Sequence, residues 1–167
     1  MDLFEKMYIS EEFLRNLMCI IRDKTFPIIF NDHDKNINHP NIKLNCNLML
    51  YSKKVLDLMI NSIPKDHITE FGAIALILSY VILTEPKIHR IDVYKKGQGL
   101  DYHWRKDGNL YKLEISGCDV ENKKTFYNRI WKKNNKFQNR YYGEPAFERL
   151  IGIVDFFYEK YRLWKIE

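Results

Sequence analysis

The stretch GLDYHWRKDGNLYKLEISG, residues 99–117, constrains the fold most, because two alternating runs flank an Asp-Gly turn. Such a turn between strand-like runs predicts an antiparallel β-hairpin centred on Asp107 and Gly108. Successive side chains of a strand point to opposite faces of the sheet. The second run should therefore present a polar face and an apolar face, formed respectively by Lys112, Glu114 and Ser116 and by Tyr111, Leu113 and Ile115.

The same alternation places two carboxylates, Asp101 and Glu114, on one face of the hairpin. His103 shares that face, whereas Leu100, Tyr102 and Trp104 point to the other. A pair of carboxylates on adjacent strands is a candidate metal site. The alternative is a pair of solvated acids, or acids that pair with Lys112 and Arg105 across the hairpin.

The rest of the chain is organised as helices around further strands. Helical spacing of apolar residues predicts helices at residues 10–23, 51–63, about 67–83 and about 123–138. Asp66 is the expected cap of the third helix and Glu70 lies in its expected first turn. Strands are predicted at 87–96 and at 149–159, and the segment 24–50 is expected to be loop with short extended pieces.

Length and composition favour a single domain, residues 1–167, because the chain is 46% apolar and long enough for one real core. We expect a mixed α/β (α+β) sheet fold with an N-terminal helical extension, 1–64, before a core at 66–157. The longest apolar run, FGAIALILSYVIL, is shorter than a membrane span and is interpreted as a buried helix. Three cysteines without CxxC spacing fit a reducing cytoplasm.

Basic charge is concentrated in one segment, residues 122–143, which contains no Asp or Glu. It carries seven cationic side chains, whereas the net charge of the whole chain is +5, so the rest of the chain is slightly acidic. A localised basic surface predicts contact with a polyanion such as nucleic acid, although a solvated helix face is the alternative. The residues expected to bind nucleic acid are Lys123, Arg129, Lys132, Lys136 and Arg140.

The element order, helix–strand–strand–strand–helix–strand, together with three acids, resembles the PD-(D/E)xK nuclease superfamily and its restriction-endonuclease-like fold. In this resemblance Glu70 matches the helix acid, Gly99-Leu100-Asp101 the GxD element and Glu114-Ile115-Ser116 the ExK element. The segments GLDYHW and LEISG also resemble G-x-D-Y-W and L-E-V-S-G elements of small uncharacterised bacterial proteins, a likeness that implies no activity.

The nuclease resemblance implies a Mg²⁺ or Mn²⁺ site at Asp101, Glu114 and Glu70, and catalysis by these acids with Lys112 and Ser116. Members usually carry Lys where this chain has Ser116, and a hydroxyl supplies no positive charge. Lys112 on the same strand face, or Lys123 or Lys132 from the basic helix, is the expected substitute cation.

Two classes of function follow from these residues. The first is a metal-dependent nuclease that acts on DNA or RNA phosphodiesters, in a bacterial defence, mobile-element or repair system. The second is a catalytically inactive module of the same fold that binds nucleic acid or a partner protein, with a homo-oligomer as a further option and no membrane contact. A lysine that reaches Glu114 would favour the first class.

Other residues carry weaker signals. The loop FNDHDKNINHP gathers Asp32, His33, Asp34 and His39, which is more typical of turns than of a metal cluster. Cys118 lacks a clear His partner for nucleophilic chemistry. Tyr141 and Tyr142 either stack on bases or pack on the last strand.

Overall fold

The protein is described here by a computed structural model covering residues 11–25, 27–32, 41–44, 51–85, 87–88, 90–93, 102–140 and 147–166, without the side chains of Glu11 and of residues 137–140. The described helices are α1 (Glu11–Ile21), α2 (Lys53–Ile60), α3 (Lys65–Thr84) and α4 (Lys123–Arg140). The described strands are β1 (Ile28–Asp32), β2 (Ile42–Leu44), β3 (Asp92–Val93), β4 (Tyr102–Lys106), β5 (Asn109–Cys118), β6 (Glu148–Asp155) and β7 (Lys160–Ile166).

The described strands form one mixed sheet in the order β2-β1-β7-β6-β5-β4-β3. β5 and β6 are parallel and are joined through α4, while β1 is parallel to β7. The remaining neighbours are antiparallel. A mixed α/β architecture is therefore confirmed, and the segment from α3 to β6 has the predicted order of one helix, three strands, one helix and one strand.

The predicted hairpin is present and its turn is built as expected. Lys106 pairs with Asn109, and the two central residues, Asp107 and Gly108, have φ of 50° and 82°. Positive φ at both central positions is the geometry of a type I′ turn, whose twist matches that of the flanking strands. Local turn chemistry thus fixes the register of β4 against β5.

The apolar helix α3 lies against one face of the sheet. It is hydrophobic around most of its circumference because it packs on the sheet and also on α1. By length and composition its 20 residues could also cross a membrane, but 61% of the apolar window is buried inside the fold. The buried-helix interpretation is confirmed; the helix is longer than its apolar run suggested and begins at Lys65, so Asp66 lies in the first turn and is not the cap.

The other face of the sheet is covered by α4. Phe126 and Ile130 of this helix pack with Ile151, Ile153 and Trp164 in a second apolar cluster. Phe126 and Ile130 therefore form the core face of the basic helix, while the side chain of Phe137 lies outside the described part of the chain.

The N-terminal segment before α3 contributes strands as well as helices. β1 and β2 lie within the stretch predicted as loop with short extended pieces, and both join the sheet. α2 packs with α1 and the start of α3 through Leu56, Met18 and Ile68. The strand β7 was not predicted, and the predicted strand at 149–159 ends at Asp155.

Candidate functional site

The centre of β5 is buried from Lys112 to Cys118 and presents different chemistry to its two sides. Leu113 and Ile115 belong to the apolar cluster on the α3 side. Glu114 and Ser116 point the opposite way and bond to side chains of α4. The predicted separation of the polar and apolar residues of this strand is therefore confirmed.

Glu114 is held by two lysines from α4. Its side chain is 2% exposed, and its Oε1 atom accepts hydrogen bonds from the ammonium groups of Lys133 and Lys136, the second at 2.7 Å. Charge-assisted bonds of this kind are roughly twice as strong as neutral ones. Two cations thus stabilise a carboxylate that burial alone would disfavour.

The second oxygen of Glu114, Oε2, is buried and has no hydrogen-bond partner among the described residues. A buried carboxylate oxygen without a donor is costly, about 1–3 kcal/mol in typical proteins. This oxygen is therefore the atom of the site that a ligand, a cation or a water would satisfy.

Ser116 accepts a hydrogen bond of 2.7 Å from the guanidinium of Arg129. The serine is 2% exposed, so this contact lies beneath α4. Arg129, Lys133 and Lys136 follow one another at intervals of four and three residues, which brings them to one face of the helix. Three cations of α4 therefore lie over Glu114 and Ser116.

The lysines that the sequence suggested as the substitute cation have the following contacts. The ammonium of Lys112 is 3.7 Å from the centroid of the Phe147 ring, and that of Lys123 is 5.5 Å from the centroid of Tyr158. Lys132 is exposed and lines a surface depression of α4 together with Arg129 and Lys133. The sequence interpretation missed Lys133, although its spacing from Arg129 and Lys136 would have indicated it.

The structure does not bring the three predicted acids together through described residues. Asp101 lies outside the described part of the chain; the described register of β4 with β5 ends at Tyr102 opposite Leu113. His103 pairs with Lys112 and so lies in the expected alternation. Glu70 belongs to the second turn of α3, and this helix covers the sheet face opposite α4.

The described residues fit a divalent cation only in part. Mg²⁺ is usually held by one or two protein carboxylates together with waters and substrate phosphates. Glu114 offers one unpartnered oxygen, but the described residues contain no group of three or more His, Cys, Asp or Glu side chains arranged for a metal. Asp101, the expected second protein ligand, lies outside the described part of the chain.

The other candidates are placed as follows. Burial, with Asp155 nearby, raises the pKa of the Cys118 thiol to about 12, so a thiolate nucleophile there is disfavoured. Asp32 ends β1. His33, Asp34, His39, Tyr141 and Tyr142 lie outside the described residues, as does the side chain of Arg140, the last residue of α4.

Comparison of the chain with protein-family models, with curated proteins and with solved structures gave no match.

Proposed function

We propose that this protein is a divergent nuclease of the PD-(D/E)xK type, which acts on nucleic-acid phosphodiesters with Mg²⁺ or Mn²⁺. The observation that carries the proposal is the contact of Lys133 and Lys136 with Glu114. It joins the acid of the ExK-like element to cations that replace the missing lysine. The element order from α3 to β6 adds support.

The roles of the side chains follow from their charge and position. The side chains of Lys133 and Lys136 contact Glu114 and are 21% and 40% exposed, so they lie between the buried carboxylate and solvent. Cations in such a position stabilise the charge that develops on a phosphoryl group during its transfer. Arg129 is held at Ser116 and is the third cation of this face.

A metal would be held by Glu114, through Oε2, and by Asp101. When bound, it would neutralise phosphate charge and lower the pKa of a coordinated water. Glu114 in this proposal has the second task of orienting the two lysines, which requires no metal.

The alternative function is a catalytically inactive module of the same fold that binds nucleic acid or a partner protein. The observation that favours it is that Oε1 of Glu114 is already neutralised by two ammonium groups. Such a site attracts a divalent cation less than a bare pair of carboxylates does. A basic helix surface alone would then account for binding.

The test is a cleavage assay on single- and double-stranded DNA and RNA with Mg²⁺, with Mn²⁺ and with a chelator. Glu114→Gln removes one charge at constant shape, and Glu121→Gln is the matched control because Glu121 is exposed before α4. We expect metal-dependent cleavage by the wild type and by Glu121→Gln, and a loss of about 100-fold or more in Glu114→Gln with binding retained.

Two outcomes would contradict the nuclease proposal. A wild-type protein that binds but cuts nothing would make the binding module the better account. Cleavage by Glu114→Gln at the wild-type rate would place the chemistry away from Glu114.

A further inference from the structure

The outer face of α4 carries two exposed aromatic side chains one turn apart, Tyr127 and Trp131, which we call the aromatic ridge. Their side chains are 49% and 65% exposed. Residues four apart lie side by side on a helix surface. The inner face already packs through Phe126 and Ile130, so the aromatic ridge contributes little to the core.

Tyr127 is held in place by its neighbours. Its ring meets Phe126 edge to face with centroids 5.8 Å apart, and the ammonium of Lys160 lies 5.1 Å from its centroid. Contacts of both kinds stabilise a fixed ring orientation. One side of the aromatic ridge is therefore a preorganised surface, which lowers the entropy cost of stacking a ligand on it.

Beside the aromatic ridge, α4 has an open surface depression of about 360 Å³. Its lining combines a hydroxyl, an amide and three cations, contributed by Thr125, Asn128, Arg129, Lys132 and Lys133. Asn128 precedes Trp131 by three residues and Lys132 by four, so it adjoins both features. Arg129 and Lys133 also contact Ser116 and Glu114, so the depression adjoins the candidate site as well.

Charge and shape together specify the occupant. The segment 122–143 contains seven cations and no acid, which favours an anionic partner over an apolar or basic protein surface. Exposed aromatic rings next to cations bind bases by stacking and backbones by charge, and only an unpaired base offers its face. A duplex keeps its bases stacked inside and leaves the ring faces unused.

We propose that α4 binds single-stranded nucleic acid, with a base stacked on Trp131 and Tyr127 and the adjacent phosphate in the depression. This inference rests on the proposed function and names its substrate class as unpaired strands. The phosphate would then lie at the Asn128 edge of the depression, because Asn128 precedes Trp131 by three residues and is its neighbour on the helix surface.

The test uses fluorescence anisotropy of the full chain with a labelled oligothymidine, an oligouridine and a hairpin duplex of equal length, in chelator so that cleavage is absent. Trp131→Ala should weaken binding of both single strands by about 5- to 150-fold and leave duplex binding within about twofold. Trp131→Phe, which keeps a stacking ring, should recover most of the affinity. Leu83→Ala removes a side chain equally exposed at 64% but placed on α3, and should change nothing.

Intrinsic fluorescence gives a second measurement. The chain has three tryptophans, of which Trp104 and Trp164 are buried, so quenching by an oligonucleotide reports mainly on Trp131. We expect the quenching to disappear in Trp131→Ala.

The possible failures are distinguishable. If the wild type binds nucleic acid but Trp131→Ala binds all three ligands as well as the wild type does, the ridge proposal is wrong and the proposed function stands. If the wild type binds none of them, both are wrong. If Trp131→Ala changes only self-association in sedimentation, the ridge is an interface between copies and the stacking proposal is overturned.

Discussion

The ammonium of Lys133 reaches across from α4 to the carboxylate of Glu114, which is buried at the centre of β5. This contact joins β5 to α4, the crossover helix that connects β5 to its parallel neighbour β6. In the proposed nuclease site it would supply the positive charge that Ser116 cannot, from a residue 17 positions further along the chain than that serine.

Lys133→Ala should lower the free energy of unfolding by about 1–3 kcal/mol, because Glu114 would stay buried with Lys136 as its remaining partner. Lys132→Ala is the matched control, since Lys132 is the preceding residue and is exposed, and it should stay within about 0.5 kcal/mol of the wild type. Urea denaturation followed by circular dichroism measures both. Equal effects of the two substitutions would mean that the contact contributes nothing to stability.

Ser116→Lys introduces the lysine that the resembled nuclease superfamily usually carries at this position, so the resemblance alone would imply higher activity. The structure predicts a different result, because the Ser116 hydroxyl is buried beneath the Arg129 guanidinium. A lysine there would bring like charges together and overfill the site, at a cost of about 2 kcal/mol or more. Ser116→Ala should lower the free energy of unfolding by only about 0.5–1.5 kcal/mol. A Ser116→Lys protein as stable as the wild type and faster in cleavage would contradict this expectation.

The parts of the fold that the sequence predicted are those specified by local chemistry. The Asp107-Gly108 turn needs positive φ at two successive residues, and few residue pairs other than Asp-Gly or Asn-Gly provide it. Alternation then placed Glu114 on the polar face of β5 without any knowledge of its partners. The element order from α3 to β6 followed from the same periodicities.

The missed parts depend on contacts between distant residues. β7 contains the charged residues Lys160 and Arg162, so its sequence resembles an exposed polar segment more than a strand. In the fold, the ammonium nitrogen of Lys160 lies 4.5 Å from the centroid of the Phe126 ring. The guanidinium carbon of Arg162 lies 4.5 Å from the centroid of the Trp164 ring. Long cationic side chains bury their stems on aromatic rings in this way, and only the partners reveal it. β1 could not be predicted from its local sequence either, because its parallel neighbour is β7, more than 120 residues away along the chain.

The stability of the fold should depend on pH through Asp155. This carboxyl is 1% exposed and accepts the backbone N–H of Tyr158 at 3.1 Å. Burial raises its pKa above the ordinary 3.8, although the Tyr158 bond opposes the shift. The folded state therefore binds a proton more readily than the unfolded chain, and this group's contribution falls as pH rises from 3.8 through the folded pKa.

Asp155→Asn keeps an oxygen that can accept the Tyr158 bond and removes the titration. The difference in unfolding free energy between wild type and variant should thus shift in favour of the variant as pH rises above 3.8. Urea midpoints in steps of half a pH unit measure this difference. A difference that is flat with pH, or that shifts the opposite way, would show that burial does not govern this carboxyl.

The close packing of α3 on β5 depends on Gly117, which has no side chain where the helix crosses the strand. A Cβ atom built there would fall on the backbone carbonyl of Thr69 and lie 2.9 Å from the Cβ of Ala73. A helix backbone cannot rotate aside as a side chain does, so Gly117→Ala should lower the free energy of unfolding by about 1–3 kcal/mol.

Gly108 is the comparison, because it has open space around it and a φ of 82°. Gly108→Ala should cost about 1 kcal/mol through backbone strain alone, and Gly108→Asn should recover most of that loss, since Asn tolerates the left-handed region. At Gly117 we expect Asn to lower the free energy of unfolding more than Ala does, because there is no room for a side chain and Asn is the larger of the two. Chemical denaturation of the four variants measures these free energies of unfolding. A Gly117→Asn protein that is more stable than Gly117→Ala would contradict the close packing of α3 on β5.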